Sequence, residues 1–316
     1  MLVTGQPWGA LEELLLGGRI TPGLTFTLPS RGDPTFAEAQ PWMELLQQGT
    51  FSEETLSRLP VSYQTTDRWL QKLEESAEKH GMTWLHALYI SIALIERGDI
   101  EKPLELLAKS MALKPNPIAA RCLGVLQTTA EAAWPFFQQA WSVAQSHYKA
   151  DPSYQRLNLN LVTEISFFLQ QELWYDQMEA FAKTVLDGNY LGNANSDAFV
   201  TMRIKSLLHN NQNEDALSIL GANCFPTYAK ARDDLMNMWN EAVMGVAQQQ
   251  KGAVPLTYVE QHQARVGHPI PDNIGCQYAS EVSALLLQSV ITYPLLANIT
   301  SSPCVYSIAP TTGKYS

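Results

Sequence analysis

The residues able to do acid–base or metal chemistry in this chain are few and badly spaced for it. Two carboxylate pairs stand out, Glu12–Glu13 and Asp233–Asp234. Hydrolysis by paired carboxylates needs two acids facing each other across a pocket roughly 5 to 10 Å wide, usually from different loops. Sequence neighbours at helix starts fit another role, since acidic side chains there stabilise the helix dipole. Among the six histidines, His262 and His268 lie six residues apart, and Gly267 and Pro269 interrupt the helix around them. They do not form the i, i+4 metal-binding face of a zincin. His86 and His209 are solitary positions in helical stretches and read as satisfied residues rather than proton-transfer groups.

There is no GxSxG elbow, no phosphate loop and no GxGxxG after a strand. Cys122, Cys224, Cys276 and Cys304 form no CxxC pair and no Cys/His cluster at ligand spacing. They read as reduced and structural. No catalytic residue, metal site or cofactor is therefore expected. Tryptophan is the one suggestive residue type, with eight copies. Trp69, Trp84, Trp174 and Trp239 fall on apolar stripes, where burial explains them. Trp8 and Trp42 sit in an irregular N-terminal region and are the expected exposed pair, available for an inter-domain contact.

The composition narrows the partners. Lys plus Arg number 21 against 31 Asp plus Glu, a net charge of −10, and no stretch gathers the cations on one helical face. Nucleic acid and anionic membrane surfaces both require such clusters. Charged residues make up only 16% of the chain against 46% hydrophobic, so a sizeable core is expected. The first residues lack a positive n-region and carry Glu12 and Glu13 where a signal peptide is apolar, which points to a cytoplasmic chain. The sequon at Asn298 carries little weight without a signal. The apolar run 284–299 is interrupted by Gln288, Thr292 and Pro294, and is short of the ~20 residues that span a bilayer. It reads as a buried helix or a tail.

The elements follow from hydrophobic period. Residues 1–64 predict an irregular cap with short helices near 8–16 and 36–48 around a Pro/Gly-punctuated segment. Residues 65–266 predict an all-α array, and 267–316 an extended segment and tail. The stretch from Trp84 to Pro115 is the clearest: a helix ending at Gly98, then a second starting at Asp99 as N-cap with Ile100, Leu104, Leu107, Ala108 and Met111 on one apolar face. Pro103 falls in its first turn, where the missing N–H costs little. Further pairs are read at 117–149, 152–186 and 196–221. Hairpins starting near 82, 117, 152 and 196 are 35, 35 and 44 residues apart, close to the ~34-residue unit of tetratricopeptide arrays. Later helices are read around Leu235–Val246 and from Leu256 to Arg265, with an extended HPIPDN segment at 268–273.

The segments WGALE (8–12), ITPGLTF, QPWMELLQQGTF (40–51), the GDIEKPLELLAKSMALKPNPIAARCLGVL hairpin and HPIP, in that order, resemble the C-terminal region of an uncharacterised family. Its members join a galactose-mutarotase-like β-sandwich to a tetratricopeptide-like helical array. The resemblance covers roughly residues 5–275 and implies no sugar-binding or catalytic residue here, because the β-sandwich has no counterpart in these residues. After Gly275 the chain departs from the family's pattern.

The favoured reading is a non-catalytic helical scaffold that docks a protein or peptide, with groove residues drawn from the first helix of each hairpin: Tyr89, Arg121, Asn158 and Arg203. The alternative is the accessory half of a carbohydrate-active protein, with Trp8 and Trp42 against an upstream β-sandwich. A helical toroid glycosidase is disfavoured by the few loop carboxylates.

Overall fold

Among the described residues of the computed structural model, apolar residues recurring at three- and four-residue steps form helices, and the fold is all-α apart from one two-residue strand pair. The structure describes residues 2–3, 7–18, 25–33, 35–148, 154–192, 196–223, 225 and 233–271. Strand β1 (Leu2–Val3) pairs in parallel with β2 (Thr25–Phe26), and helix α1 (Pro7–Leu16) lies between them in sequence. Then come α2 (Phe36–Gln47), α3 (Glu53–Ser57), α4 (Asp67–His80), α5 (Trp84–Ile95), α6 (Glu101–Leu113) and α7 (Pro117–Val125). Helices α8 (Ala130–Tyr148), α9 (Tyr154–Glu172), α10 (Tyr175–Asp187), α11 (Asp197–His209), α12 (Asn213–Ala222), α13 (Asp233–Gln250) and α14 (Tyr258–Gly267) complete the order. Among the described residues no helix is long and apolar enough to cross a membrane. The expected helix or tail at 284–299, the sequon, Cys224, Cys276 and Cys304 lie outside the described residues.

The chain divides into two units, Met1–Ile165 with Gly188–Ala194, and Ser166–Asp187 with Asn195–Ser316. The division falls inside α9 rather than at residues 64 and 266. The aromatic residues of 1–64 complete the core of the first unit. Trp42 and Trp69 meet edge to face at 5.2 Å, and Trp42 lies 4.6 Å from Tyr89, whose ring also meets Phe51. Trp42, Trp69, Leu73, Leu88 and Leu107 are fully buried together. In the second unit Ile204, Leu220, Leu235, Trp239 and Val243 form the core between α11, α12 and α13.

The α5–α6 turn shows how sequence sets a hairpin. Gly98 adopts φ +80°, the left-handed conformation an L side chain resists. The Asp99 N–H donates to Leu94 O and the Gly98 N–H to Ile95 O, the paired bonds of a Schellman termination. Asp99 is spent in that turn and does not cap α6; Ile100 occupies the N-cap without a side-chain bond. The buried face of α6 is rotated from the expected one. Pro103, Leu107 and Ser110 are buried, while Ile100 and Ala108 are exposed, because Ser110 Oγ turns inward to donate to Trp84 O at 2.8 Å. Helices α7 and α8 approach closely at Gly124, where an added Cβ would stand 3.3 Å from Ala133 O.

Candidate functional site

Helix α5 carries two polar side chains one turn apart, and their surroundings differ. His86 is fully buried. Its Nδ1 accepts from the Thr83 N–H at 3.3 Å while Thr83 Oγ1 accepts from the His86 N–H, a reciprocal capping box that starts the helix. With Nδ1 accepting, the proton sits on Nε2, which donates to Ser76 Oγ at 2.8 Å. Burial, with the neighbouring His80 charge, lowers the His86 pKa to about 4. The ring is neutral at pH 7 and points its donor at Ser76, so it cannot take a proton from that hydroxyl. This Ser–His contact is structural, not a nucleophile with its base.

Tyr89 is also buried, at 1% exposure, and burial pushes its hydroxyl pKa far up. Unlike His86, its hydroxyl has no hydrogen-bond partner among the described residues. Tyr89 lines a groove of about 720 Å³ in the first unit. Three helices contribute side chains to it at three- and four-residue steps: Tyr89, Ile92 and Ile95 from α5, Ile118, Arg121 and Val125 from α7, and Tyr154, Leu157 and Asn160 from α9. Residues so spaced share one helix face, so each of the three helices turns the same kind of row toward the groove. The remaining wall is the non-helical segment Leu59–Tyr63 together with Ala37 and Glu38 of α2.

The groove's central charge is already neutralised. Arg121 donates from Nε and Nη2 to both oxygens of Glu164 at 2.6 to 3.0 Å, a fork that ties α7 to α9. Those bonds push the guanidinium further above its already high range. Beside it the Cys122 thiol is buried, and burial raises its pKa, so it is no reactive thiolate. What is left is an apolar trough with Glu38, Glu96 and Arg156 among its lining residues.

The structure therefore places Tyr89 and Arg121 in one groove, and the other two expected groove residues elsewhere. Asn158 is wholly buried in α9, with neither amide atom bonded among the described residues. Register is the reason: the groove row of α9 runs through Leu157 and Asn160, so Asn158 falls one step round, toward the core. Arg203 belongs to the second unit, where it lies over the Phe199 ring at 5.9 Å and burial lowers its pKa. Trp42 is not exposed; its indole N–H donates inward to Ser62 Oγ at 3.0 Å. Trp8 is half-buried against the same core. Glu12 sits in the middle of α1, not at its start, and accepts from the Trp69 indole at 2.9 Å. Asp233 and Asp234 do open α13, and Asp234 accepts from the Leu235 N–H. His209 stacks on Tyr175 at 3.8 Å. No group of three His, Cys, Asp or Glu side chains among the described residues is placed to hold a metal ion.

Sequence reasoning missed the Leu59–Tyr63 wall. Its signal was present: Val61, Tyr63 and Thr65 alternate with Ser62 and Gln64, a period of two in residues of high β propensity. Comparison with family models, curated proteins and solved structures gives no match to this chain.

Proposed function

We propose that the first unit is a tetratricopeptide-like stack of helical hairpins that serves as a non-catalytic docking scaffold for a protein or peptide. The carrying observation is the groove, to which α5, α7 and α9 each contribute a row of side chains. An array built this way offers a continuous trough rather than a closed pocket, and a largely apolar trough whose Arg121 is paired with Glu164 suits a polypeptide better than a small charged substrate. The groove's polar groups include no acid–base pair, and its single thiol is protonated.

The test is a comparison of two exposed apolar positions. Val125 lines the groove at 51% exposure, whereas Leu113, at 52%, lies outside its lining. Proteins retained by the immobilised full chain are expected to be lost with Val125→Glu and kept with Leu113→Glu. Equal retention by both variants would remove the groove from the function.

A further inference from the structure

The segment between α3 and α4 bends at Val61 and leaves its backbone unpaired, with extended residues at both ends. Arg58, at its start, has φ −101° and ψ 163°, and Thr66, at its end, φ −69° and ψ 156°. Leu59 precedes a proline, which also holds it extended. Among the described residues, no backbone N–H or C=O of Leu59–Thr65 makes a hydrogen bond. Exposure alternates with period two: Val61 and Tyr63 are about 60% and 59% exposed, while Ser62 between them is pulled in. Ser62 Oγ accepts from the Trp42 indole and donates to Glu38 O at 2.6 Å. The segment is thus pinned in place by a side chain while its main chain stays free. Its first part, Leu59–Tyr63, forms one wall of the groove, with Tyr89 in another.

Resting on the docking reading above, we propose that the occupant is an extended peptide of another protein that pairs with Val61–Thr65, beyond the bend, as an added strand. Main-chain hydrogen bonds to the free edge would give the affinity. Alternate apolar side chains would enter the trough between Ile92, Ile118, Val125 and Leu157. The Arg121–Glu164 pairing leaves no unbalanced charge at the centre of the trough, so the strand is uncharged at its inward positions.

The experiment presents the full chain to an array of nonapeptides with apolar residues at odd positions and Ser or Thr at even ones, beside helix-forming peptides of the same composition. Backbone amides of one strand face alternately to either side, so Val61→Pro and Gln64→Pro remove donors from opposite sides. Neither amide is bonded in the free chain, and retention of the thermal transition verifies each fold. Extended peptides are expected to bind, with one of the two proline variants about tenfold weaker, the worth of one backbone hydrogen bond, and the other unchanged. N-methylation of one alternating set of peptide amides abolishes binding, and that of the other set leaves it. Binding indifferent to both prolines and both methylation sets, or confined to helical peptides, overturns strand pairing and leaves groove docking standing. No binding by any peptide of either kind removes both.

Discussion

His86 and Tyr89 are one helical turn apart, buried to the same degree, and opposite in how their polar atoms are used. His86 bonds through both ring nitrogens, to Ser76 and Thr83, and so fixes the start of α5. Tyr89 spends its ring on Trp42 and Phe51 and leaves its hydroxyl unbonded beside a groove. A buried polar group that is satisfied builds the fold; one left unsatisfied costs about 1–3 kcal/mol. Under the docking proposal, the difference separates what holds the fold from what lines the groove, though both are written on one helix.

The comparison can be broken most forcefully beneath both residues. Trp42→Ala empties the centre of the aromatic cluster and strands Ser62, so a loss of about 3–5 kcal/mol is expected in denaturant unfolding. A loss under 1 kcal/mol would mean the cluster is not the shared foundation of the two sites. His86 comes next. Its folded pKa of about 4 lies below its unfolded 6.5, so the unfolded chain binds the extra proton as pH falls. Stability is complete above pH 6.5 and declines as pH drops toward 4, by about 3 kcal/mol in all. The slope should flatten in His86→Gln across that window. A smaller acid effect begins lower. Burial raises the Glu44 pKa, but bonds from the Ser52 N–H, Ser52 Oγ and Gln40 outweigh it and hold the carboxyl below its usual range. Glu44→Gln should cost about 1–2 kcal/mol at pH 7 and lose its penalty as pH falls below 4.5, the ordinary value.

The smallest changes sharpen the contrast by reversing sign. Asn158→Leu removes two unbonded polar atoms at nearly constant volume and is expected to raise stability by about 1 kcal/mol in chemical unfolding. Tyr89→Phe should raise it by a few tenths to about 1 kcal/mol. A destabilised Tyr89→Phe would show that the hydroxyl serves the fold after all.

Helix positions and the Gly98 turn were legible in the sequence because a 3.6-residue period and a left-handed cap are local signals. The face of α6 was not, since Ser110 turns inward for a carbonyl on another helix, Trp84 O, which no periodicity encodes. Half of the expected groove set falls in the groove for a similar reason. Tyr89 and Arg121 are found there, but Asn158 is one residue out of register, and a single step of about 100° decides between trough and core. The N-terminal segment looked irregular because Trp42 and Phe51 are buried by partners far along the chain rather than by a repeat of their own.

Lys114 was not among the residues expected to matter, yet its ammonium donates to Leu56 O and Ser57 O, the last carbonyls of α3, from 4.7 Å above the Trp84 ring. The free edge that follows is thereby clamped just before its start by Lys114 and at its middle by Ser62. A strand arriving there orders itself but finds its template already rigid, which trims the entropy lost on association. Calorimetry should then show a modest entropic penalty for wild type and a larger one for Lys114→Met, with the enthalpy nearly the same in both.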